Sequence, residues 1–141
     1  MLVITGWSSK IAEELRILAD EMSWLGTSFE KIVRATYDDM PLDADRYFFC
    51  AGYLLPKKLS EMSYEEYVTT LGVNYTRVVG ACDRILVANK RARICVMGSE
   101  SAYAGSHNDL YAYAKRCLHE YVENKRLGPE QQLVAVSPSI V

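Results

Sequence analysis

The sequence predicts an α/β fold: a three-layer α/β/α sandwich around a mostly parallel sheet. Three observations carry that expectation. Short apolar runs rich in β-branched residues, such as "MLVIT" and "ARICVMGS", read as buried strands. Amphipathic patterns with helical spacing separate them. Strands that alternate with helices require right-handed crossovers, and these place helices on both faces of one parallel sheet. At 141 residues the chain fits one domain, 1–141, which can bury a core without disulfides or metals.

Each element follows from local chemistry. "MLVIT" is a strand that meets the turn residues "GWSS". Ser8 or Ser9 caps the next helix, Glu13 and Glu14 suit its first turn, and Ile11, Leu15, Leu18, Ala19 and Met22 form its apolar face until Gly26. A second strand, about 29–35, leads into the acidic turn "YDDMPLDAD", where Asp38 and Asp39 are expected to make a turn. "RYFFCAG" is a buried strand ending in glycine. Ser63 and Glu66 form a capping box for a long helix carrying Tyr67, Leu71, Tyr75, Val78, Val79, Cys82 and Ile85. After the strand "ARICVMGS", the stretch "SHND" offers caps for a helix with Leu110, Tyr113, Ala114, Cys117, Leu118, Tyr121 and Val122 on its apolar face. "QQLVAVSPSIV" closes the chain as a strand running into a proline turn.

Composition excludes several classes. Half of the residues are hydrophobic, 24% are charged and the formal net charge is -2, so a basic nucleic-acid footprint is not expected. No apolar run approaches the roughly 20 residues of a membrane span. Cys50, Cys82, Cys95 and Cys117 lack zinc spacing and read as buried, reduced thiols. With an N-terminus that enters a strand directly, they point to a cytoplasmic protein. Two histidines offer no metal cluster; His107 is expected in a loop and His119 on a helix surface.

In a parallel α/β sheet ligands bind at the carboxyl ends of the strands, so the residues just after each strand carry the functional signal. Gly6, Arg34, Gly52, Ser99 and Pro138 fall there. The motifs "TGWSSKIA", "CAG", "VNYT", "MGS", Tyr111 with Lys115, and "VSPSIV" occur in that order along the chain. This ordered set resembles the short-chain dehydrogenase/reductase family, with its TGxxxGxG, NNAG, helical asparagine, serine, YxxxK and PG turn. The resemblance spans nearly the whole chain and implies a Rossmann-like fold. Residues 1–56 would be the nucleotide-binding half and 57–141 the catalytic half.

By matching position, the resemblance assigns Tyr111 as acid or base and Lys115 as the cation that lowers the tyrosine pKa and holds the nicotinamide ribose. Ser99 would polarise the substrate carbonyl, and Asn74 would support a proton-relay water. The chemistry suits the residue types: a phenol ordinarily titrates near pH ~10, and an ammonium in a water-poor cleft stabilises its phenolate. The (i, i+4) spacing puts both groups on one helix face. Ser101 is the alternative to Ser99, Asn74 is otherwise a satisfied or solvent-facing polar residue, and Tyr113 lies off the face of the lysine.

Cofactor contacts are implied for Thr5, Gly6, Trp7, Ser8, Ser9, Lys10, Ile11, Arg34, Cys50, Ala51, Gly52, Tyr111, Lys115, Pro138 and Val141. Lys10 and Ala12 stand where the family has its second and third glycines. Either the loop has lost cofactor affinity, or the Lys10 ammonium meets phosphate directly. Trp7 either covers the cofactor or packs. Arg34 could receive a 2′-phosphate and no acidic residue stands at the ribose-reading point, so NADP(H) is expected over NAD(H).

Relative to the family, the sheet is expected to be shortened at the second/third-strand edge and to lack the last strand. The implied function is an NADP(H)-dependent oxidoreductase interconverting an alcohol and a carbonyl, acting on a small molecule. The alternative is a catalytically silent module that keeps the fold for nucleotide binding or assembly. A homodimer or homotetramer through the helices about 63–89 and 109–125 is expected.

Overall fold

The structure is a computed structural model that describes residues 2–6, 10–21, 29–32, 37–104 and 109–137. Strands β1 (Leu2–Thr5), β2 (Phe29–Ile32), β3 (Arg46–Phe49), β4 (Arg93–Met97) and β5 (Gln132–Val136) form one sheet in the order β2-β1-β3-β4-β5. All four pairings are parallel. The helices are α1 (Lys10–Glu21), α2 (Tyr64–Leu71), α3 (Arg77–Ala88), the short α4 (Ser101–Ala104) and α5 (Asp109–Asn124).

Alternation along the strands distributes the core between two faces. Val3, Tyr47, Phe49, Ile94 and Val96 point to one side, where Val78, Cys82 and Ile85 of α3 and Leu118 of α5 meet them. Each fully buried aliphatic side chain there contributes about 1.5–3 kcal/mol. Leu2 and Ile4 point to the other side, against Ala12 and Leu15 of α1. This gives the three layers expected. Beyond α1 the second face carries a cavity of about 280 Å³ lined in part by Phe48, Cys95 and Val134.

The connection into β3 has no helix among its described residues. Instead Tyr47 Oη donates to Pro41 O (2.6 Å) and accepts from Ala44 N–H (3.1 Å). From α3, Arg84 Nη2 donates to Tyr37 O (2.6 Å) and Nη1 to Asp38 (3.2 Å). Asn89 Nδ2 donates to Ala44 O (2.8 Å). Asp38 and Asp39 make the turn expected of them.

The capping box at α2 forms as predicted: Ser63 Oγ accepts from Glu66 N–H, and Glu66 accepts from Ser63 N–H, both at 3.1 Å. Lys57 pairs with the same carboxylate at 2.9 Å and is the main cause that holds Glu66 below its ordinary pKa.

Four expectations need correction. The long helix is not uniformly α: residues Gly72–Thr76 form a π-turn between α2 and α3, in which Arg77 N–H reaches back to Gly72 O. Among the described side chains of α1 Ala12 is buried while Ile11 and Leu18 are exposed, because the small residue lets the helix approach the sheet closely; Ala19 and Met22 of the expected face lie outside the described side chains. On α5, Tyr113 is 53% exposed and Cys117 half-buried, whereas Lys115 and His119 face inward. Of the four cysteines, Cys50 and Cys82 are buried and Cys95 and Cys117 only partly so; all are free thiols. Among the described residues no helix is long and apolar enough to cross a membrane.

Candidate active site

The chain runs from β1 to β2 on one side and returns to β3 on the other side of β1. The carboxyl ends of β1 and β3 therefore flank the crevice where a parallel α/β sheet takes its ligand. Gly6 adopts φ +67° there, a region that glycine enters without strain. A Cβ at Gly6 would lie 2.6 Å from Ala51 N and 2.8 Å from the Cys50 carbonyl carbon, so backbone presses on backbone. Thr5 Oγ1 accepts from Ala51 N–H (3.4 Å), tying the two strand ends together. Burial raises the Cys50 thiol to about 12, which makes it a packing group rather than a nucleophile.

Gly52 is exposed beyond this floor, and Tyr53 follows it. The fully buried Asn74, inside the π-turn, donates from Nδ2 to Tyr53 O (2.7 Å) and Thr70 O (2.8 Å) and accepts from Tyr53 N–H at Oδ1 (3.3 Å). Both of its amide protons are thus committed to the backbone.

The other half of the site is a shelf made by the end of β4 and one face of α5. Lys115 is 3% exposed, and its Nζ donates to Met97 O (2.8 Å). The same Nζ lies 5.7 Å from the centroid of the Tyr111 ring, one helical turn back. Burial lowers the Lys115 pKa from its ordinary 10.5 to about 8.

Ser99 stands two residues beyond Met97 and is half-buried. Its Oγ accepts from Ser101 N–H (3.1 Å) and its carbonyl from Ala102 N–H (3.1 Å), so it sets the start of α4. Ser99 Oγ accepts in that turn, and its O–H remains a donor.

The structure thus brings Thr5, Gly6, Cys50 and Ala51 together at the crevice, with Gly52 beyond them. It gathers Tyr111, Lys115 and Ser99 around the end of β4. Lys10 and Ile11 open α1 with exposed side chains. Trp7, Ser8, Ser9, Arg34, Pro138 and Val141 lie outside the described residues, as does His107.

Sequence reasoning missed the Met97 carbonyl, the brace at Tyr53 and His119. His119 is not on the helix surface: it is 8% exposed and its Nε2 accepts from Ser99 N–H at 3.3 Å. The spacing 111, 115, 119 was a signal that could have found it, because it continues the tyrosine–lysine face by one turn.

No protein-family model matches the sequence, and no curated protein matches it. Solved structures do. A short-chain dehydrogenase/reductase from Vibrio parahaemolyticus has a TM-score of 0.79 at 18% identity, covering 98% of this chain and 83% of that one. A short-chain dehydrogenase/reductase described as a glucose/ribitol dehydrogenase, from Brucella melitensis, has a TM-score of 0.78 at 22% identity, covering 99% and 74%. An alcohol dehydrogenase from the archaeon Thermococcus sibiricus, solved with 5-hydroxy-NADP, has a TM-score of 0.71 at 19% identity, covering 97% and 74%. The chain has the Rossmann-like fold of the short-chain dehydrogenase/reductases, the fold its ordered motifs imply.

Proposed function

We propose that the protein is an NADP(H)-dependent oxidoreductase of the short-chain type, interconverting an alcohol and a carbonyl of a small molecule. The observation that carries this reading is Lys115: a buried ammonium, anchored to Met97 O and 5.7 Å from the Tyr111 ring, beside the crevice of a parallel sheet. Among the described residues its hydrogen-bond partner is that one carbonyl, so two N–H groups remain to donate. Two donors on a buried cation fit the hydroxyls of a ribose. The exposed Gly52 leaves the crevice open above its floor, since a Cβ there would meet nothing closer than Asn74 Oδ1 at 3.9 Å.

The nicotinamide, when bound, supplies or accepts the hydride at the substrate carbon. The protein's residues handle the proton and the developing charge. In reduction, Tyr111 Oη gives its proton to the carbonyl oxygen as charge gathers there, and Ser99 donates its O–H to the same oxygen. Lys115 stabilises the phenolate left behind. In oxidation the proton runs from alcohol to Tyr111. Asn74 serves as a brace that fixes the Gly52–Tyr53 loop against the π-turn, since its amide protons are already used. The phosphorylated nucleotide is preferred because Arg34 carries the matching charge, and the archaeal alcohol dehydrogenase of the same fold was solved with an NADP derivative. Self-association through α2–α3 and α5 is part of this reading, supported by Tyr64, Val68 and Tyr113 exposed on those helices.

NADPH and NADH oxidation across a panel of aldehydes and ketones tests the reading. Turnover with NADPH faster than with NADH is expected. Saturable nucleotide binding with no turnover on any member would identify the silent module instead.

A further inference from the structure

One imidazole nitrogen holds three segments of the chain together. His119 Nε2 lies 3.3 Å from Ser99 N and 3.2 Å from Ser137 Oγ. Next to it, Gly98 N–H donates to Val136 O (2.8 Å), the bond that continues the β4–β5 ladder past Met97. A Cβ on Gly98 would fall 2.3 Å from His119 Nε2 and 2.8 Å from Ser137 Oγ, so the ring packs directly against the Gly98 backbone. His119 therefore touches the exits of both β4 and β5, and a side chain at position 98 would displace its ring.

The donor pattern fixes the chemistry of the ring. A backbone amide has no lone pair to offer, so Nε2 must be the acceptor towards Ser99, and the proton of a neutral imidazole sits on Nδ1. The Ser137 hydroxyl then shares the same lone pair. An apolar core residue would fill the volume but could not satisfy Ser99 N–H, whose loss of an acceptor would free the Gly98–Ser99 peptide to swing.

Ser99 is held at three points: its N–H by His119, its Oγ by Ser101 N–H and its carbonyl by Ala102 N–H. Lys115, one turn earlier on α5, holds Met97 O on the same segment. One helix face thus grips the residues on either side of Gly98 through a carbonyl and an amide. We propose that His119 is a positioning residue for Ser99: its Nε2 sets the Ser99 backbone so that the hydroxyl is aimed at the oxygen to which Tyr111 delivers its proton. This rests on the oxidoreductase reading, and it adds a third member to the face that carries Tyr111 and Lys115.

Two variants separate positioning from packing. His119→Gln keeps an acceptor oxygen at about the reach of Nε2, and the cavity of about 410 Å³ that His119 lines with Arg116, Glu120 and Glu123 leaves room for it. His119→Leu keeps the bulk and removes the acceptor. Turnover, NADPH affinity, melting temperature and Ser99 amide hydrogen exchange would be measured for both. His119→Leu is expected to lower kcat by about tenfold or more, since small misplacements of a catalytic group are costly. Its NADPH affinity should be unchanged and its Ser99 amide should exchange at least about tenfold faster. His119→Gln should stay within about threefold of wild type in each.

Equal damage in both variants, tracking loss of melting temperature, would make the residue a packing element and overturn the proposal. So would wild-type kcat in His119→Leu, whatever the exchange rate. Absence of turnover in the wild type would remove the oxidoreductase reading, and with it the role in chemistry. The Ser99 exchange ratio would still decide whether the His119 contact exists.

Discussion

The crevice at β1 and β3 and the shelf at β4 and α5 lie at the same end of one sheet, yet they are held by different means. In the crevice, backbone meets backbone: Gly6 lies against Cys50 and Ala51, and the sole side-chain bond described there is from Ala51 N–H to Thr5 Oγ1. On the shelf, side chains of α5 reach backbone groups of β4's exit: Lys115 to Met97 O and His119 to Ser99 N–H. The difference separates tasks. Backbone packed on backbone, as at Gly6, tolerates no added atoms and does not titrate, which suits holding a cofactor. A surface made by side chains is adjustable by charge, which suits moving a proton.

The largest effect expected from breaking this contrast is on chemistry. Under the proposed function Tyr111→Phe removes the transferred proton and should cut kcat by roughly 100- to 10,000-fold with little change in fold. Tyr113→Phe, on the same helix but facing outward, should change kcat by less than about twofold. Parallel steady-state kinetics of the two variants checks this.

Next in size is the electrostatic strain on the shelf. The Lys115 pKa is near 8 in the folded chain against an ordinary 10.5. The unfolded chain therefore binds more protons than the folded chain between those values, and stability from this group rises with pH across that window. It is fully present above about pH 10.5 and lost as the pH falls to about 8, a difference of about 3 kcal/mol. Denaturant unfolding of wild type and Lys115→Met at pH 7.5 to 10.5, repeated with Tyr111→Phe in both proteins, isolates the term, because Tyr111 is the tyrosine beside the lysine. The wild type should gain on the variant as pH rises.

The crevice should answer to volume rather than pH. Gly6→Ala introduces a Cβ at positive φ against the Ala51 backbone, and a cost of about 1–3 kcal/mol or more is expected. Gly52→Ala, with open space around it, should stay within about 0.5 kcal/mol. Thermal melts distinguish the two. The smallest perturbation expected is Asp39→Asn on the exposed turn, within about 0.5 kcal/mol and without effect on kcat, in the same assays.

Much of this was legible in the sequence because it rests on period and punctuation. The apolar runs became strands within a few residues, and Ser63 with Glu66 became the expected capping box. Tyr111 and Lys115 share a face because (i, i+4) spacing requires it. What was illegible depended on contacts between distant segments. The inward turn of His119 is set by the exits of β4 and β5, 18 to 20 residues away. The π-turn at Gly72–Thr76 has no periodicity of its own, and Asn74 acquires its role from Tyr53, 21 positions earlier. On α1 the exposure of Ile11 and Leu18 was likewise unreadable, whereas the buried Ala12 stands where the family has its third glycine, a position of close helix packing.

Calorimetric titration of NADPH into wild type and Lys115→Met bears most directly on the claim that a buried ammonium beside a tyrosine defines a nucleotide site. Saturable binding by the wild type, weakened by at least about tenfold in the variant, is the predicted result, as expected for losing two charge-assisted hydrogen bonds to a ribose. Absence of wild-type binding at millimolar nucleotide, or equal affinity in the two proteins, would contradict it.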